Sequence, residues 1–145
     1  METINQTTVT ADIDEAITKL YDQNKFWLSE INFLDDEIKF ITDLLDKFFI
    51  TLIQDKYVNR IQLIKGQLIS LGYVESNIKQ DIIRHQIHIE EKINNKAAKS
   101  QIFLEMEDAR IADELKDIHK NFKHIKTDIF AITSTLLLNN KQDQA

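Results

Sequence analysis

The chain has no cysteine and no proline, and its 145 residues include only two glycines, Gly66 and Gly72. Without cysteine there are no disulfides, no thiolate metal ligands and no cysteine nucleophile. Tight turns draw on glycine and proline, which a β-rich or α/β domain needs in number, so an all-helical chain with few connections is the economical reading. No apolar run approaches the ~20 residues that a membrane span needs. The opening stretch, Met1 to Thr10, is polar and lacks the apolar core of a signal peptide. These absences predict a cytoplasmic protein with no membrane partner. The formal net charge is −6, with acids and bases interspersed. Phosphate binding calls for a basic face, so no nucleic-acid partner is expected. There is no Gly-rich phosphate loop and no serine in a nucleophile turn.

What is present is a helical heptad. Ile13, Ile17, Leu20, Trp27, Ile31, Leu34, Ile38, Ile41, Leu45, Phe48 and Leu52 recur in alternating steps of four and three, with Asn24 the one polar intruder. A helix of this length spans about 60 Å at roughly 1.5 Å per residue. It cannot hide its own seam, so partners of similar length must lie along it. Past residue 52 the phase breaks, since continuation would bury Asp55, Asn59 and Gln62. A second stripe begins at Tyr57, Ile61, Ile64, Leu68 and Leu71 and resumes at Ile78, Ile82 and Ile89. Leu71 and Ile78 keep the register through Gly72, which predicts one unbroken second helix. The third stripe is Ile111, Leu115, Ile118, Phe122, Ile125, Ile129, Ile132 and Leu136.

The expected architecture is an all-α, antiparallel up-down-up bundle of three long helices with a coiled-coil-like heptad seam. Residues 1–10 read as a disordered lead-in, 11–138 as a single domain with helices at about 11–52, 56–93 and 100–138, and 139–145 as a frayed tail. Thr10, Asp55 and Ser100 are the expected N-caps, and Asn94-Asn95-Lys96 the end of the second helix. Trp27-Leu28-Ser29-Glu30 followed by Asp36-Glu37-Ile38-Lys39-Phe40, in a composition rich in isoleucine, lysine and asparagine, is similar to small helical proteins of flavobacteria and their relatives. That resemblance is confined to the first helix and implies no activity, cofactor or partner.

Polar residues occupy four seam positions: Asn24, Glu75, His85 and, on extending the third stripe backwards, Asp108. Antiparallel pairing levels residues whose numbers sum to roughly 108 about the first turn and roughly 194 about the second, given a common rise. The same arithmetic predicts that Asn24, His85 and Asp108 share one layer and that Glu75 lies level with His119. One reading of these layers is structural: a buried Asn or a His–Asp pair fixes register, because slippage leaves each group unpaired. The other is a metal or small-ligand site built on His85-x-x-His88, with Asp108 and then Glu75, His119 or Glu30 as further ligands. Helical-bundle metal centres use paired Glu-x-x-His signatures, and the chain has none, so no cofactor is expected. His124 falls on the outer face of the third helix.

Phe26, Phe33 and Phe40 also recur every seven residues, but off the seam. Either the third helix or a folded tail covers them, or they form an apolar face for self-association, most simply as a two-fold dimer. Phe130 and Leu137 hint at a second apolar face on the third helix. Catalysis needs a concave site, and three parallel-sided helices offer little concavity. The expected function is therefore non-enzymatic: a structural or interaction module that forms a homo-oligomer or binds a helical protein partner.

Overall fold

The computed structural model describes the backbone of residues 2–51, 56–96 and 98–144, and the side chains of 15–47, 56–96 and 98–135. It contains α1 (Glu2–Thr51), α2 (Val58–Ile93) and α3 (Gln101–Gln144), and no strand among the described residues. The three helices pack as an all-α, antiparallel three-helix bundle. None of them is long and apolar enough, over the described residues, to cross a membrane.

The helix ends differ in part from those expected. α1 is already helical at Glu2, so it takes in the stretch read as a lead-in, and Thr10 lies within the helix rather than at its cap. No glycine or proline stands between Glu2 and Ile13 to stop it. For the same reason α3 runs on to Gln144 through the stretch read as a frayed tail. At the start of α2 the first helical bond is Ile61 N–H to the Tyr57 carbonyl, at 3.0 Å, so Tyr57 holds the N-cap position. Asp55, expected there, lies outside the described residues. α2 passes unbroken through Gly66 and Gly72.

The second turn follows the sequence closely. Asn95 adopts φ 55°, the left-handed geometry that Asn tolerates. Its N–H reaches the Lys92 carbonyl at 3.3 Å while that of Lys96 reaches Glu91 at 3.1 Å, the paired bonds of a Schellman cap. Ser100 then caps α3: its Oγ accepts from Phe103 N–H and its carbonyl from Leu104 N–H, both at 3.1 Å.

The chain divides into two compact units, each drawing on all three helices: Met1–Phe33 with Asn77–Leu115, and Leu34–Ser76 with Lys116–Ala145. In the first, Ile17, Trp27 and Ile31 of α1 are buried, as are Ile78, Ile82 and Ile89 of α2 and Leu104, Ile111 and Leu115 of α3. Ile17, Ile89 and Leu104 pack as one cluster, with Leu20 and Tyr21 against it. In the second unit the buried set is Leu34, Ile38 and Leu45 of α1, Ile61, Ile64, Leu68 and Leu71 of α2, and Ile118, Phe122, Ile125, Ile129 and Ile132 of α3. Each such side chain contributes about 1.5–3 kcal/mol on burial. Ile13, Phe48, Leu52 and Leu136 of the expected stripes lie outside the described side chains.

Candidate functional site

His85 falls between Ile82 and Ile89 on the buried stripe of α2, so the helix carries its ring into the core of the first unit, where it is fully buried. There it meets two carboxylates from α3. Nδ1 lies 2.5 Å from Glu107 Oε1, and Nε2 lies 3.2 Å from Asp108 Oδ1. His88, one turn further along α2, turns Nδ1 to the same Glu107, at 3.1 Å from Oε1 and 3.2 Å from Oε2. The His88 ring also meets Phe103 edge-on, with centroids 5.7 Å apart. Two imidazoles thus share one carboxylate, and one of them is bracketed by a second.

Ionised carboxylates only accept hydrogen bonds. Where the facing carboxylate is charged, the donor in each of these contacts is therefore the ring nitrogen. The pairing of His85 with Asp108 is the one the levelled seams predict. Glu107 is not on the predicted seam, yet it makes the closest contact. A signal for it exists: position 107 is three residues after Leu104 and four before Ile111, so it satisfies helical spacing to the buried stripe as well as its neighbour does.

Asn24 is fully buried, but it does not join the imidazole by a hydrogen bond. Its Nδ2 donates to the Ile82 carbonyl at 2.9 Å, and its Oδ1 has no hydrogen-bond partner among the described residues. The ring nitrogens of His85 are already engaged by α3, leaving the amide of α1 to the backbone of α2. Nearby, Arg110 of α3 donates to Asp81 of α2 at 3.2 Å and to Glu114 at 2.9 Å. Partial burial works against its charge, but the two carboxylates outweigh that and hold the guanidinium above its ordinary range.

Among the described residues, no group of three or more His, Asp or Glu side chains is arranged to hold a metal ion. The separations of His85 and His88 from Glu107 and Asp108 are those of hydrogen bonds.

In the second unit Glu75 is buried, whereas His119 is exposed and stays out of that layer. Ile118 and Phe122 occupy the inward positions of that turn of α3, and His119, one residue on from Ile118, is rotated about 100° from it toward solvent. Glu37 pairs with Lys126 of α3 at 3.7 Å. An open groove of about 670 Å³ between α2 and α3 is lined by Leu63, Gly66, Ser70 and Val74 on one side and by Asn121, His124 and Asp128 on the other. No hydrogen bond joins Ser70, His124 and Asp128 among the described residues, so the base-activated nucleophile that acyl transfer requires is not assembled there.

The aromatic line on α1 is open. Phe26 is 59% exposed and Phe33 and Phe40 are each 67% exposed, so neither the third helix nor a folded tail covers them. Trp27, at a seam position, is buried. Phe130 of α3 is exposed too, and Leu137 lies outside the described side chains. No match to a family model, a curated protein or a solved structure is found for the chain.

Proposed function

We propose that the protein is a non-enzymatic interaction module of the cytoplasm, a helical bundle that self-associates through the outer face of α1. The observation that carries this reading is the exposure of Phe26, Phe33 and Phe40 at heptad spacing along one helix. Scattered exposed apolar residues are ordinary, but repeated large aromatic rings in register are what a partner helix reads. Covering each ring is worth about 1.5–3 kcal/mol before association costs are met. A second copy offers the same face, and a two-fold dimer is the commonest way for identical surfaces to close on each other. The paired histidines and carboxylates of the first unit act within the bundle in this reading, tying α2 to α3.

Light scattering on a size-exclusion column, run over a range of concentrations, tests the proposal. The wild-type chain is expected at twice its 17.0 kDa monomer mass. Phe33→Asp is expected to return it to the single-chain mass with unchanged helicity by circular dichroism. A wild-type protein that stays monomeric at every concentration overturns the reading.

A further inference from the structure

We infer that the cluster of His85, His88, Glu107 and Asp108 is a proton-dependent latch between α2 and α3 of the first unit, closed while His85 carries both ring protons. Hydrogen-bond valence is the basis. Glu107 Oε1 stands 2.5 Å from Nδ1, and Asp108 Oδ1 stands 3.2 Å from Nε2. A doubly protonated ring donates on both sides. A neutral ring keeps one N–H, so on its other side a nitrogen lone pair faces a carboxylate lone pair. Separations this short leave no room for an intervening water, and the ring itself is fully buried. The contact that joins the helices in one protonation state therefore repels in the other.

The groups around the ring do not relieve this. On α2, His88 directs Nδ1 to Glu107 and competes for the same oxygens. Asp81 and Arg84 pair with each other, and Asp81 also holds Arg110 of α3. On α1 the neighbouring polar group is Asn24, which is uncharged and bound to the Ile82 carbonyl. No charged side chain of α1 forms an ion pair with either imidazole among the described residues. On α3, Leu104 and Ile111 are buried on either side of the carboxylates, so loosening there reaches the apolar core.

The sign follows from proton counting. The latched state holds the His85 proton that the open state releases, so raising the pH favours opening.

The test uses the full wild-type chain. Ring ¹⁵N shifts report the protonation of His85 separately from the exposed His119 and His124, while amide hydrogen exchange reports opening. After correction for intrinsic base catalysis, the amides of Leu104 and Ile111 are expected to lose protection at least tenfold in step with the His85 titration. In Glu107→Gln the carboxamide donates to a neutral ring, whose remaining N–H serves Asp108. That variant is expected to keep its protection across the same pH range. The proposal is overturned if His85 holds one protonation state from about pH 5 to about pH 9. It is equally overturned if protection does not follow the His85 titration, or if Glu107→Gln retains the wild-type pH dependence.

Discussion

Asn24 poses the sharpest energetic question among single residues. Its Nδ2 has the Ile82 carbonyl, but its Oδ1 is buried with no hydrogen-bond partner among the described residues. That carbonyl lies inside α2, where the helix supplies its own donor four residues on. An unmade hydrogen bond at a buried oxygen costs about 1–3 kcal/mol, against about 1 kcal/mol gained from the bond that is made. Asn24→Leu, close in size and apolar, is therefore expected to stabilise the chain by roughly 1 kcal/mol. Urea denaturation followed at 222 nm checks this: the midpoint should rise with the slope unchanged. A lower midpoint would mean that Oδ1 has a partner worth more than the apolar contact. The gain in stability comes with a loss of specificity, since a leucine tolerates neighbouring registers that an amide on a particular carbonyl does not.

For whole helices, continuity and termination decide what forms. α2 carries Gly66 and Gly72 in its interior, and a Cβ placed on either meets no heavy atom within 4 Å. Gly66→Ala and Gly72→Ala are thus expected to stabilise by about 1 kcal/mol each through helix propensity alone, and to add. A loss on Gly66→Ala would show that something outside the chain occupies the groove it lines, which a parallel mass measurement would reveal. Ser100→Ala should act in the opposite direction, by about 1 kcal/mol, because the Phe103 N–H loses its acceptor. Chemical denaturation of the three variants side by side gives both signs in one experiment. These elements were legible in the sequence because a helix in a bundle must bury every third or fourth residue, and the described residues of the α2 and α3 stripes are buried where the spacing puts them, apart from the half-buried Tyr57. The second turn was legible because Asn95 and Ser100 are chemically suited to the end and the start of a helix. The outer ends of α1 and α3 were not, since polarity alone does not stop a helix that meets no breaker. The cluster was half legible. His85 and Asp108 lie on seams and could be levelled, but Glu107 flanks its seam and emerges only when the rotation of α3 is known.

At the scale of the whole molecule, association and folding share one free energy. If folded chains pair and unfolded chains do not, mass action raises the melting temperature with protein concentration. For a dimer each tenfold increase adds about 1.4 kcal/mol per pair, or about 0.7 kcal/mol per chain. A domain of this size shifts by about 2–4 °C per kcal/mol, so the melting temperature is expected to climb by about 2 °C per decade of concentration. Calorimetry over two decades resolves that slope, and Phe33→Asp should flatten it. Salt separates the forces involved. Each chain carries a net charge of −6, so two copies repel, and screening weakens that repulsion over about 10 Å at 0.1 M salt. An interface built on the phenylalanines of α1 is therefore expected to tighten as salt rises from low to moderate ionic strength. Ion pairing between copies would weaken instead. A dissociation constant that rises with added salt would remove the aromatic face as the source of association, and one that falls would leave apolar burial as the force that holds the copies together.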